Sequence, residues 1–126
     1  RLRARKLKPD AILSSPAVRA LATATIMARE LKAAPSIVRQ DERLYLAGPS
    51  DMLTVIRELG GDARHLMVFG HNPGITEFAN RLSAGDRIDN MPTSAVFTAT
   101  FAIDDWSKLD WASGQDAQFD YPKNLA

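Results

Sequence analysis

Apolar and polar positions along the chain repeat one arrangement: a short apolar run, a polar break, then a helical period. Asp10 to Ser14, "DAILS", reads as a short apolar strand. Ser15 then suits a helix N-cap and Pro16 the first helical position. Val18, Leu21, Thr25, Ala28 and Leu31 keep a helical spacing, and Pro35 ends that helix. Ser36 to Arg39 predicts a second strand, and "LYLAGPSD" predicts a loop. Ser50 or Asp51 caps the next helix, with Met52, Leu53, Ile56 and Leu59 inward, and Gly60-Gly61 stops it. "HLMVFG" is a third strand; Asn72 then caps and Pro73 opens a helix with Ile75, Phe78, Ala79 and Leu82 on one face. "SAVFTATFAI" alternates as a strand near a sheet edge does, and "AQFDYP" predicts the last strand.

Strands alternating with helices predict an α/β fold, a mostly parallel sheet flanked by helices, with residues 1–126 as a single domain. In such sheets ligands bind at the carboxyl ends of the strands. A helix starting there presents free N–H groups and a positive dipole end, which suit an anion.

Composition changes this picture little. The 126 residues are 45% apolar and 25% charged, with a net charge of +1, so no global field selects nucleic acid or membrane as a partner. There is no cysteine, which removes disulfides and thiolate chemistry and fits a reducing, cytoplasmic setting. No apolar run reaches the ~20 residues of a membrane span. The opening "RLRARKLKPD" carries five cations in eight residues. It reads as the solvated last turn of a helix, where cations suit the dipole, more readily than as a nucleic-acid arm.

Two units are built alike: "AILSSPAVRA" and "LMVFGHNPGI" are each strand, polar pair, proline, helix. Both put polar groups at the carboxyl edge of the sheet. The first contributes Arg19 in its opening helical turn, the second His71 just before its cap. An arginine there commonly faces solvent, and a histidine beside a cap is commonly structural. The shared architecture is what points to a pocket for a tetrahedral anion. Arginine supplies a planar fork matched to phosphate oxygens. Histidine donates to a phosphoryl oxygen and titrates near neutrality.

At these residues the chain resembles the histidine phosphatase superfamily, in particular its SixA-like phosphohistidine phosphatases. "SSPAVRALATA" resembles that family's S-S-P-x-x-R-A-x-x-T-A segment, and "GHNPGI" its second catalytic histidine segment. "MPTSAVFTATFAID" and the closing "YPKNL" resemble the later segments of small members. The resemblance runs from Pro9 to the end. It implies a phosphoglycerate-mutase-like sheet, no metal, no cofactor, and a hydrolase that removes phosphate from histidine-phosphorylated protein in signal transduction. It gives Arg19 the role of clamping phosphate and His71 that of the second catalytic histidine. Ser15 and Asn72 fall near the phosphate by position.

Two departures qualify this. The family opens with a strand ending in Arg-His-Gly, whose histidine is the nucleophile. No such element precedes Pro9, so a first βα unit is expected to be missing and the chain alone to be inactive. "ARHLMV" offers Arg64-His65, but His65 starts the strand that ends at His71, about 20 Å away at ~3.3 Å per residue. That span also rules out a metal site shared by both histidines. Relatives acting on phosphate esters carry an acid in the loop after the third family strand. Here Glu42 lies before that place and Asp51 after it. A phosphohistidine leaves as an imidazole and needs such an acid less than an alkoxide does, which favours an N–P substrate. A non-catalytic phosphate- or phosphoprotein-binding module, or a phosphatase for small phosphoesters, are the alternatives. Trp106 and Trp111, and Asp104-Asp105, read as structural and surface features.

Overall fold

The computed structural model describes residues 8–83, 88 and 96–120. Residues 1–7, 84–87 and 89–95 and the closing "YPKNLA" lie outside the described residues, and with them most of the basic opening and the start of "MPTSAVFTATFAID". The strands are β1 (Ala11–Ser14), β2 (Val38–Gln40), β3 (Leu66–Phe69), β4 (Val96–Thr100) and β5 (Gln115–Asp120). The helices are α1 (Val18–Glu30), α2 (Pro49–Leu59) and α3 (Gly74–Leu82).

β1 is the centre of a three-stranded parallel sheet in the order β2-β1-β3. Such pairs need a crossover, and α1 and α2 lie in the two connections, as the α/β expectation requires. Successive residues of β1 point to opposite faces. Ile12 packs with Ala24 and Ala28 of α1, while Leu13 packs with Met52, Leu53, Val55 and Ile56 of α2 and Phe78 and Leu82 of α3. The sheet therefore separates α1 from the α2 and α3 layer.

β4 and β5 form an antiparallel pair of their own, joined to the parallel sheet by no ladder among the described residues. The expected antiparallel edge strand is thus one of two. The turn before β5 is tied to α3 through Gly114 N donating to Leu82 O (2.8 Å) and Ala112 N to Arg81 O (2.8 Å).

Several boundaries differ from the expectation for local reasons. Pro35–Ile37 form a 3-10 turn, so the second strand starts at Val38 rather than Ser36. α1 starts at Val18, not Pro16, and α3 at Gly74, not Pro73, because the expected caps, Ser15 and Asn72, are engaged elsewhere. α2 starts at Pro49, with Asp51 inside its first turn accepting from Gly48 N (3.3 Å).

The buried stripe of α1 also differs. Ala20, Ala24, Ala28 and Leu31 face inward, whereas Val18 is 86% exposed and Thr25 is exposed. Three alanines at i, i+4, i+8 form a low ridge that lets the helix axis lie close to the sheet; a valine or leucine row would hold it off. The predicted inward residues of α2 and α3 face the core, Leu59 and Ile75 only half-buried, and Val55 and Thr76 are buried as well.

Trp106 closes the end of α2. Its indole Nε1 donates to Ala63 O (2.7 Å), its ring meets Phe101 edge-on, and a Cβ on Gly60 would lie 2.6 Å from its own Cβ. Trp111 packs against Phe78, with Arg81 over its ring at 4.2 Å. Asp105 caps a 3-10 turn at Ser107 N, and Asp104 pairs with Lys108 at 2.7 Å. All four are structural or surface groups, as read from the sequence.

The alanine ridge is open to test. Ala24→Leu should cost about 1–3 kcal/mol through overpacking, and Val18→Ser less than about 0.5 kcal/mol, both read from urea midpoints. Gly60→Ala should also cost about 1–3 kcal/mol, since the added methyl meets backbone as well as Trp106.

Candidate active site

The parallel pairing of β1 with β3 puts Ser14 opposite Phe69. One residue further, Ser15 N donates to Phe69 O (3.0 Å). The two similar units therefore end side by side at the carboxyl edge of the sheet. Ser15 is fully buried there, and its Oγ lies 2.8 Å from His71 Nε2. The same Oγ accepts from Ala17 N (3.2 Å), which occupies one lone pair and fixes where the hydroxyl sits. This contact explains why Ser15 precedes α1 instead of capping it. The structure thus places Ser15 against the histidine.

Asn72 is exposed and accepts from the Thr76 hydroxyl through Oδ1 at 2.6 Å. That bond ties the residue to the first turn of α3, while His71 O accepts from Ile75 N (2.8 Å). Neither α1 nor α3 has a side-chain cap hydrogen bond. Two uncapped helix N-termini thus open beside His71, where their N–H groups and dipoles favour negative charge. Arg19 lies in the first turn of α1, exposed, and its guanidinium makes no hydrogen bond or ion pair among the described residues, while its carbonyl accepts from the Thr23 hydroxyl (2.9 Å).

Arg19, His71 and Asn72 line one end of a groove of about 520 Å³. One wall is β3, from Leu66 to Gly70; the other is β4, with Val96, Phe97, Thr98 and Ala99. Ala20, Thr23 and Met27 of α1 border one side, and Ile75, Ala79 and Leu82 of α3 the other. The groove therefore runs in the plane of the sheet, between the helix layers. Arg64 and His65 line it too, but at the amino end of β3, where His65 O accepts from Asp10 N (2.9 Å). The two histidines are at opposite ends, as the strand length predicts. No aspartate or glutamate lines the groove among the described residues. Glu42 is exposed in a 3-10 turn, and Asp51 is bound to the start of α2. Nor does any cluster of three or more histidine, aspartate or glutamate side chains fit a metal ion among the described residues.

Sequence reasoning missed Tyr45. Its ring meets the His71 ring edge-on, at 5.5 Å between centroids and 82° between planes. The tyrosine follows a 3-10 turn, Glu42–Leu44, capped by Asp41. Asp41 accepts from the Arg43 guanidinium and from Arg43 N, which hold its carboxyl below the usual aspartate range. An aromatic inside a loop rich in small residues was the available signal. Nothing in the spacing ties position 45 to position 71.

No helix among the described residues is long and apolar enough to cross a membrane. No family model matches the chain, and no curated protein matches it. Two solved structures are similar to it. One is described as a phosphohistidine phosphatase SixA from Nakamurella multipartitia, with TM-score 0.58 and 24% identity, covering 93% of this chain and 74% of that one. The other is the protein histidine phosphatase SixA complexed with tungstate, with TM-score 0.71 and 19% identity, covering 99% of this chain and 76% of that one. The chain shares the fold of these two phosphatase structures.

Proposed function

We propose that this chain carries the phosphate-binding half of a phosphohistidine phosphatase acting on histidine-phosphorylated protein. The observation that carries the reading is the groove end itself. Arg19, His71 and two uncapped helix N-termini converge there, with no carboxylate along the groove among the described residues. Such a site attracts a multiply charged oxyanion. A structure of the same fold is described as a protein histidine phosphatase SixA complexed with tungstate, a tetrahedral oxyanion, which supports an oxyanion as the ligand class.

In this reading a nucleophilic histidine attacks phosphorus, and the bond from phosphorus to the substrate imidazole nitrogen breaks. The phosphoryl group then sits on the enzyme histidine until water attacks it and orthophosphate leaves. Arg19 and a ring N–H of His71 hold the equatorial oxygens and offset their growing charge. Ser15 keeps the imidazole aimed at them. Protonation of the leaving imidazole makes it a good leaving group, so the lack of an acid in the groove suits an N–P substrate better than an alkyl phosphoester.

Neither His65 nor His71 fits the nucleophile. His65 lies at the wrong end, and His71 is already engaged by Ser15. We assign that role to a further histidine, seated in the groove between β3 and β4. Both facing edges lack a ladder partner among the described residues, and the groove between them lies in the sheet plane under helices on both sides.

Orthophosphate release from a phosphohistidine protein tests the reading. His71→Ala should lower turnover by about 10²-fold or more, the scale of losing a preorganised donor, with an unchanged circular-dichroism melt. Arg19→Lys should lower it by roughly tenfold or more, because a point charge cannot reproduce the guanidinium fork. His65→Gln should stay within about twofold of the parent, as expected for a group outside the differential binding of the transition state. Wild-type turnover in His71→Ala would overturn the assignment, and preference for an alkyl phosphate over phosphohistidine would move it to the phosphoesterases.

A further inference from the structure

Tyr45 is fixed in place from both sides. Leu44, before it, is fully buried in the core with Leu13, Met52 and Val55. Leu46, after it, adopts a left-handed φ of 55° and is 75% exposed. A leucine in that region is strained. The turn is held because Ala47, next along, is buried against the start of α3: a Cβ on Gly74 would overlap Ala47 O. Only a glycine permits that approach. The loop bearing Tyr45 thus rests directly on the helix after His71.

The contact it makes has a specific character. Tyr45 is 53% exposed, so burial alone does not account for its placement. Its hydroxyl makes no hydrogen bond among the described residues, and the residue does not line the groove that His71 lines. What it touches is the imidazole, edge-on. Ser15 meets that imidazole at Nε2, and Tyr45 packs against the ring. Two contacts of different kinds, a hydrogen bond and an edge-on aromatic pair, leave the His71 ring one orientation. Such aromatic pairs favour an edge-to-face geometry over free rotation.

We propose that Tyr45 is a positioning residue for His71, acting through its ring and not its hydroxyl, with Gly74 setting the approach that brings it there. Together with Ser15 it pre-orients the imidazole for an oxyanion, so less ordering is required when the anion binds. This rests on the assignment of His71 to oxyanion binding, but the orientation of the ring is observable without it.

The test uses the 126-residue chain with ¹⁵N-labelled histidine and sodium tungstate as the probe. The His71 ring nitrogens of the parent should report one ordered ring, and tungstate should shift them. Tyr45→Phe should reproduce both the ring signals and the tungstate affinity within about twofold. Tyr45→Leu should average or broaden the His71 signals and weaken tungstate roughly five- to tenfold at an unchanged melting temperature. Gly74→Ala should displace the loop and give the same His71 signature; should that variant fail to fold, the Tyr45 pair decides alone. Parent-like His71 signals in Tyr45→Leu would overturn the proposal, and so would failure of Tyr45→Phe to match the parent. Absence of tungstate binding in the parent would instead overturn the oxyanion assignment, leaving ring order to judge Tyr45.

Discussion

The parallel ladder between β1 and β3 is the constraint on which the site depends. Its register sets Ser14 beside Phe69, and the next bond, Ser15 N to Phe69 O, carries the pairing one residue past the strands. Side chains alternate faces along a strand, so a slip of one residue would turn every one of them over. Ile12 would lose its place under α1 and Leu13 its place under α2. Ser15 would also leave His71. The burial that stabilises the sheet and the hydrogen bond that orients the imidazole are therefore set by the same register. Both strands are short, and the packing of Ile12 and Leu13 on opposite helix layers is what pins it.

Electrostatics at the carboxyl edge derive from that geometry. Two helices begin there without side-chain caps, next to a guanidinium that has no carboxylate partner among the described residues. Some charges elsewhere are paired, Arg43 with Asp41 and Glu58 and Lys108 with Asp104. An unpaired guanidinium at helix N-termini favours negative charge there, in a protein whose net charge is only +1. The groove leading to it is mostly apolar, and its long walls are two strand edges. Apolar walls and free edges suit an extended segment of polypeptide, whereas the cationic end suits an oxyanion.

Much of this was legible in the sequence because it is written locally. The strand–polar pair–proline–helix pattern recurs at Ser15 and at His71, and the 3.6-residue spacing of α2 and α3 marks their buried faces correctly. The separation of His65 from His71 is a matter of strand rise alone. Arg19, Ser15, Asn72 and His71 come to one edge as the α/β pattern predicts. What each does there was not settled by the pattern: Ser15 holds the imidazole and Asn72 the first turn of α3, in place of capping helices. The cap preference of serine and asparagine is weak, near ~1 kcal/mol, and a specific tertiary partner overrides it.

Tertiary structure alone decided the rest. The buried stripe of α1 runs through alanines, because close approach to the sheet outweighs the size of Val18 and Leu21, and hydropathy does not encode that distance. The groove between β3 and β4 needs two sheets to be placed against each other, which no single segment specifies. The contact of Tyr45 with His71 joins residues distant in sequence through a left-handed leucine and a glycine that accepts a carbonyl at short range. The sequence determined the elements and the chemistry available at their ends, since these depend on residues a few positions apart. Which of those groups meet, and in what orientation, was decided by packing, since it depends on distances between elements.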